Sequence, residues 1–340
     1  MNAKMTRVTI SDIAREAGVG TATVERVLSG RGGVRDQTAG RVIRAATKLG
    51  YGNRHIKLHQ GSIRIEAILV RPDTSYFAQL NREFQRISET LDRSIILHRT
   101  FVGEFDPIAT AKHIANPPFR RSALIICAQD DPAITESLMK VHESGVEIVQ
   151  IITRCDDGTL TYLGTDNYAA GQTAAYYMSG MLRGRGGTLV AMCHSGIYMN
   201  HRERIRGFSD YLEQTGNSEH RFTTVMLGKD DALESANLLD EALRRDSEII
   251  GIYTAGGGDD GVAASLSRWS KHRRVFWIGH VFTERKRQYF ESGLLDICFE
   301  EQPEVYARRS IDLVLKKLNF IQADVSTAPV RFMTITAQNA

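Results

Sequence analysis

The sequence predicts a small all-α helix-turn-helix domain followed by an α/β body of two lobes, each lobe a parallel, doubly wound sheet. Three observations carry that prediction. The run from Val8 to Ser29, VTISDIAREAGVGTATVERVLS, contains two short helical patterns separated by a glycine turn. Strand-like and helix-like segments then alternate through the rest of the chain. The basic residues are also concentrated at one end. Through Gln60 there are eleven Lys and Arg against four Asp and Glu, a balance of +7, while the whole chain is +3, which leaves −4 for the remainder. The expected boundaries are 1–50 for the head, 51–62 for a linker, 63–163 with 302–326 for the first lobe, and 164–301 with 327–340 for the second.

In the head, Thr9 is placed to cap a first helix with Asp12 three residues on, a capping box with a carboxylate at the positive end of the helix dipole. That helix runs from Ile10 to about Glu16 with Ile13, Ala14 and Ala17 inward, and Ala14 is small enough for a second helix to cross closely. Gly18 supplies the backbone freedom of a tight turn, and Val19 plugs the corner. From Thr21, apolar residues at Val24, Val27 and Leu28 define a second helix whose outer face presents Thr21, Ala22, Glu25 and Arg26. A third helix spans Thr38 to Leu49. A duplex entering against that outer face accounts for the charge asymmetry through phosphate neutralisation. A basic bundle docked on an acidic protein would need neither the turn glycine nor the small residue at the crossing.

The body reads as IRIEAILV near 63–70, a helix near 76–92, SIILHRTF, a helix from Ile108, SALIICA, a helix from Ala133 and VEIVQII. A second series opens with TYLGTD. It continues with a helix near 168–183, GTLVAMC, a helix near 201–214, FTTVML, a helix near 231–245, IIGIYTA, a helix from Gly261 and VFWIG. Two such sheets in tandem leave a cleft between their strand C-terminal edges, the place where ligands bind in open α/β folds. The composition, 42% hydrophobic and 24% charged, suits sizeable cores. No apolar run approaches the length of a membrane span and no export signal is seen, so a cytoplasmic location without a membrane partner is expected. The four cysteines, Cys127, Cys155, Cys193 and Cys298, are far apart and read as buried thiols rather than metal ligands, and neither a metal nor a cofactor is expected.

The head, with TISDIAREAGV paired to TATVERVLSG and followed by a helix ending at Gly50 and Tyr51, resembles the LacI/GalR family of bacterial regulators. The body resembles the periplasmic-binding-protein-like (ribose-binding) sensor of that family through the SYF turn after the first strand, GTDNYAAG at 164–171 and RIRGF at 204–208. The resemblance implies a homodimer whose heads read two half-sites of double-stranded operator DNA and whose cleft closes on a small effector. It places Thr21 and Ala22 at the main base-reading positions, with Arg26 following. Ala22 offers only a methyl for a thymine methyl, which leaves hydrogen-bonded readout to Arg26 and Thr21. Glu25 departs from the family's usual small polar residue. It reads either as an acceptor for a cytosine amino group or as a carboxylate that is solvated or paired with Arg26. Thr9, Ser11, Thr23, Arg35 and Thr38 complete the expected DNA surface, with Arg35 and Thr38 on phosphates. The linker YGNRHIKLHQGS lacks the family's Pro-Asn. Ile56 or Leu58 reads as a minor-groove wedge, or Arg54 and Lys57 as a flexible basic tether.

At the cleft, Thr74, Tyr76 and Phe77 are candidates for a hydroxyl and an aromatic platform, against the alternative that both rings are core. Arg154 and Arg204 match the family's cleft arginines, and either could instead be an exposed salt bridge. Gly258 and Asp259 form a turn that could approach an anion or could be only a tight turn. His280 stands where the family has an aromatic residue and Glu301 at a hinge glutamine, with Glu300 beside it as a competing, solvated acid. This mix suits a sugar, polyol or sugar acid. A sugar- or sugar-phosphate-binding protein or enzyme on the same scaffold is the alternative. The chain has no GxGxxG after the first strand, no GxxxxGK[ST], no GxSxG and no metal-spaced His or Cys group, so no catalytic residues are assigned.

Overall fold

A computed structural model describes residues 8–29, 33–49, 51, 62–70, 75–155, 158–216 and 219–340. The head is three helices, α1 (Ile10–Ala17), α2 (Thr21–Leu28) and α3 (Asp36–Lys48). The hydroxyl and amide of Thr9 both donate to the Asp12 carboxylate, and Thr9 Oγ1 accepts from the Asp12 amide, so the capping box is formed. Gly18 ends α1 in the left-handed region at φ 64°, the conformation for which glycine carries no Cβ penalty. Ile13, Ala14, Ala17, Val24, Val42, Ala45 and Ala46 close a small core, with Val19 half-buried against it.

The first lobe is a five-stranded parallel sheet of β1 (Ile63–Val70), β2 (Ile95–Val102), β3 (Ala123–Ile126), β4 (Glu147–Ile151) and β5 (Thr161–Leu163), in the order β2-β1-β3-β4-β5. Helices α4 (Ser75–Ser88), α5 (Pro107–Ala115) and α6 (Pro132–Glu143) connect the strands. One expectation is corrected: TYLGTD does not open the second sheet, because β5 pairs in parallel with β4 and extends the first. The chain crosses to the other lobe only after β5, where Asp166 caps α7 (Asn167–Met181).

The second lobe orders its strands β11-β10-β9-β8-β6-β7, comprising β6 (Gly187–Cys193), β7 (His220–Leu227), β8 (Ile249–Thr254), β9 (Phe276–His280), β10 (Ile297–Glu300) and β11 (Met333–Ile335). Its helices are α7, α8 (Met199–Gln214), α9 (Ala232–Arg245), α10 (Asp259–Trp269) and α11 (Glu284–Glu291). The final helix, α12 (Pro303–Lys317), returns to pack on α4 and the first sheet, and β11 then pairs antiparallel with β10, so the second sheet is parallel except at that edge. The crossings lie side by side, with the Val330 amide donating to the Gly164 carbonyl at 2.9 Å. All four cysteines are free and buried, and no helix of the described residues is long and apolar enough to cross a membrane.

The two quoted motifs of the second lobe meet in one contact. A Cβ on Gly171 would collide with the Arg204 carbonyl, and one on Gly207 would collide with the Tyr168 carbonyl, so α7 and α8 cross backbone to backbone through paired glycines. Gly171→Ala is therefore expected to lower the unfolding free energy by about 1–3 kcal/mol through overpacking. Gly180→Ala, on the same helix with open space around it, is expected to raise it by about 0.5–1 kcal/mol. Urea titration of the full chain reads both, and equal midpoints for the two variants would contradict the crossing.

Candidate functional site

The outer face of α2 is open. Thr21, Ala22, Glu25 and Arg26 are exposed while Val24 is fully buried beneath them and Thr23 is half-buried. Ser11 and Arg35 are exposed and Thr38 is half-buried on the first turns of α3; Thr9 is exposed, with its hydroxyl held in the cap. Arg26 and Arg35 also line a groove between the head and the base of the first lobe, together with Arg44, Lys48, Arg64 and Lys317. The linker candidates Arg54, Ile56, Lys57 and Leu58, like Thr74 in the cleft, lie outside the described residues.

The cleft is organised around a buried ion pair. Arg204, on α8 and 3% exposed, donates from Nη2 to Glu301 Oε1 at 2.6 Å, from Nε to Asn167 Oδ1 at 2.8 Å and from Nη1 to the Ala255 carbonyl at 2.9 Å. Glu301, at the crossing after β10, is also 3.3 Å from His280 Nδ1, and His280 Nε2 is 2.8 Å from the Tyr253 hydroxyl. Burial alone would raise the Glu301 carboxyl, but Arg204 and His280 bring it down to about 2. Burial and then the charge of Arg204 push His280 down to about 3, so its imidazole is neutral. Burial, Arg204 and His194 likewise hold His201 well below the ordinary histidine range. The centre of the site is thus one matched ion pair among neutral groups.

Buried polar atoms with no protein hydrogen-bond partner include Tyr76 Oη, Gln129 Oε1, Thr153 Oγ1, Asn200 Oδ1 and His201 Nδ1. Gln129 and Thr153 follow strands of the first sheet, Tyr76 lies on the first turn of α4, and Asn200 and His201 lie on the first turn of α8. These are the strand-end and helix-start positions that border the cleft. A buried polar atom left unpaired costs about 1–3 kcal/mol, so this set is suited to a polar ligand that pairs with it. Backbone strain marks the same region: Ile152 and Val281, both β-branched, hold φ at 70° and 64° directly after β4 and β9.

The lobes touch across the cleft. Tyr198 Oη donates to Glu104 Oε1 at 2.7 Å with His194 Nε2 3.2 Å away, the Asp130 amide donates to the Ile197 carbonyl at 3.0 Å, and Arg202 pairs with the Asp130 carboxylate. Half-buried Arg154 donates to Met199 Sδ at 3.4 Å and lies over the Tyr162 ring, and Gln79 donates to the Phe282 carbonyl at 3.3 Å. One segment of the second lobe, 194–202, therefore receives the loops that follow β2, β3 and β4.

The other candidates fall elsewhere. Phe77 and Tyr76 are half-buried and both pack on the first-lobe core, with only the Tyr76 hydroxyl left over for a ligand. Glu300 is not merely solvated: its carboxylate accepts from the Phe282 and Gln302 amides and shapes the crossing. Gly258 has φ 86°, and a Cβ there would meet Ser235, while the Asp230 carboxylate fills the space beside Gly257, so the turn packs closely against Asp230 and Ser235. Asp259 is turned to Lys286 at 2.8 Å and to Thr254. Sequence reasoning missed Asn167, Gln129, Asn200, His201, Tyr253 and the interlobe group Glu104, Asp130 and Tyr198. Only Asn167, inside GTDNYAAG, carried a signal.

Residues 9–53 match the family model for bacterial regulatory proteins of the lacI family, and residues 73–321 match the periplasmic binding protein domain. The transcriptional regulator DegA of Bacillus subtilis is 24% identical over 217 residues, 62% of this chain and 62% of its own length, so the chain spans under two thirds of that relative. The regulator pepR1 of Lactobacillus delbrueckii subsp. lactis is 37% identical over 93 residues, 26% of this chain and 28% of its own. Among solved structures, the glucose-galactose binding protein GanP of Geobacillus stearothermophilus superposes with a TM-score of 0.71 at 14% identity, covering 82% of this chain and 99% of that one. The arabinose binding protein AraP of the same organism gives 0.65 at 22%, over 82% and 98%. At these identities the two structures speak to the fold alone.

The protonation pattern sets a pH dependence. Below pH about 6.5 an unfolded His280 takes up a proton that the folded imidazole refuses until about 3, so stability falls as pH drops through that window. The stability held by the Glu301 carboxylate is present above its unfolded value of about 4.3 and is lost as pH falls toward 2. Between pH 7 and 5, wild type should lose about 1–2 kcal/mol more than His280→Asn in urea titrations. Parallel losses in the two proteins would contradict a neutral buried imidazole.

Proposed function

The chain belongs to the periplasmic binding protein domain family over residues 73–321 and carries a lacI-family head at 9–53, and on that combination we propose that it is an effector-controlled transcriptional repressor. The observation that carries this reading is the open outer face of α2 on a basic head, joined to a body whose cleft holds a buried set of unpaired polar atoms. Thr21, Ala22 and Arg26 meet base edges in the major groove, Ser11, Thr23, Arg35 and Thr38 lie along the phosphates, and Thr9 holds the helix that supports them. The linker 51–62 joins head to body, as hinge or tether.

The effector is an uncharged polyhydroxy compound, a sugar or polyol. Glu301 already matches the charge of Arg204, His201 and His280 are neutral, and Glu104 and Asp130 add acceptors, so the central pair offers an anion no free cation and, among the described residues, Arg154, turned to Met199 and the Tyr162 ring, is the one cleft arginine without a carboxylate partner. Its hydroxyls pair with Tyr76, Gln129, Thr153, Asn200 and His201, and its binding draws together the loops that meet segment 194–202. The homodimer forms along the edges that leave apolar side chains uncovered: Phe101 on β2 with Ile108 nearby, and Val225 and Leu227 on β7. The protein works in the cytoplasm and is not an enzyme, in keeping with relatives named as transcriptional regulators.

Fluorescence anisotropy with duplexes from the regions flanking its own gene tests the reading. A dissociation constant that rises steeply with salt is expected, and no duplex retained at low salt would overturn it. For the cleft, Thr153→Val and Tyr76→Phe should each weaken effector binding by about 2- to 10-fold while operator affinity is unchanged. Thermal-shift titration with neutral sugars and polyols reads the first effect. Loss of duplex binding in either variant would mean a structural role instead.

A further inference from the structure

Among the head acids whose side chains are described, Asp12, Glu16 and Glu25, only Glu25 is not employed by the fold. Asp12 closes the cap of α1 and sits 3.6 Å from Arg15, and Glu16 binds Lys48 at 2.6 Å across to α3. Glu25 is exposed and, among the described residues, neither Arg26 nor any other cation lies within ion-pair distance of it. The alternative of an Arg26 pair is therefore not formed. Its position is also central. At about 100° per residue, Glu25 projects roughly 40° from Thr21 and 60° from Ala22, between the two, so it stands in the middle of the face that Thr21, Ala22 and Arg26 border.

A carboxylate at that point meets the strongest field of like charge the protein encounters. Facing phosphates it only opposes binding, at a site where the rest of the head carries a surplus of cations. Projecting along the groove axis it meets base edges instead, and these differ sharply as partners for an acceptor that has no N–H. Guanine shows two acceptors, N7 and O6, and thymine shows O4 and a methyl. Adenine shows one amino group beside the N7 acceptor, while cytosine shows its amino group alone. A second carboxylate oxygen is repelled by adenine N7 and meets no such atom on cytosine.

We infer that Glu25 is a specificity-determining residue that accepts a hydrogen bond from the N4 amino group of a cytosine in the major groove and so selects one C·G pair in each half-site. The inference rests on the DNA-reading function proposed above. It makes Glu25 a base reader in its own right beside Thr21, Ala22 and Arg26, and the free carboxylate acts as a filter: it excludes guanine and thymine at that position by repulsion as well as choosing cytosine by attraction.

Selection of duplexes from a randomised pool by the full-length chain tests this. Wild type should enrich one invariant cytosine per half-site. Glu25→Ala should lose the preference at that position alone, by about 5- to 150-fold, with the other positions kept. Glu25→Gln should move it toward adenine, because an amide offers both the acceptor for N6 and the N–H for N7. If Glu25→Ala selects the same sequences as wild type and binds every duplex more tightly, Glu25 is only a solvated charge opposing the phosphates, and the inference is overturned while the regulator stands. If wild type enriches no sequence at all, the DNA-reading function fails first and takes this assignment with it.

Discussion

The ion pair between Arg204 and Glu301 is the constraint around which the body is arranged. A buried pair of this kind is close to neutral for stability, because desolvation of the two ions offsets their attraction, and removing one partner strands the other at a cost of about 3–5 kcal/mol. Its value here is positional. Arg204 draws α8 to the start of α7 through Asn167 and to the end of β8 through Ala255, while Glu301 belongs to a crossing between the lobes. One side chain therefore fixes helix, sheet and hinge relative to one another, and the paired glycines Gly171 and Gly207 let the two helices come close enough for it to do so.

The same pair sets the electrostatics of the cleft. With the guanidinium charge matched and the neighbouring imidazoles neutral, the proposed effector is recognised by unpaired hydroxyl, amide and imidazole atoms contributed by both lobes. Groups drawn from two bodies can be satisfied together only when the bodies approach, which is how ligand binding becomes lobe movement. Segment 194–202 is the mechanical counterpart, since it receives Glu104, Asp130 and Arg154 from three successive loops of the first lobe.

What could be read from residues alone divides along the range of the interactions. The capping box of Thr9 and Asp12, the turn at Gly18 and the exposed face of α2 are set within a few residues of one another, and each was legible. The alternation of strands and helices is also legible, but TYLGTD reads as the opening of the second series although the expected boundary at 163 leaves it in the first lobe, because a three-residue strand carries no mark of its partner. Motif position singles out Arg204 and Glu301 as cleft candidates, whereas their mutual neutralisation is not visible in the sequence, being a contact across 97 residues. The glycine run before Asp259 is equally consistent with a ligand turn and with close backbone packing, and Asp230 and Ser235, which fill that space, are more than twenty positions away.

The central claim is that cleft and head are coupled, so that the ligand which satisfies the unpaired atoms changes the grip on DNA. Linkage makes this reciprocal: an effector that alters operator affinity must bind with a different affinity when the operator is present. Isothermal titration of the tightest-binding neutral sugar or polyol, into free protein and into the protein–operator complex, measures this directly. The account predicts dissociation constants that differ by about 5- to 150-fold. Equal constants in the two titrations would contradict it.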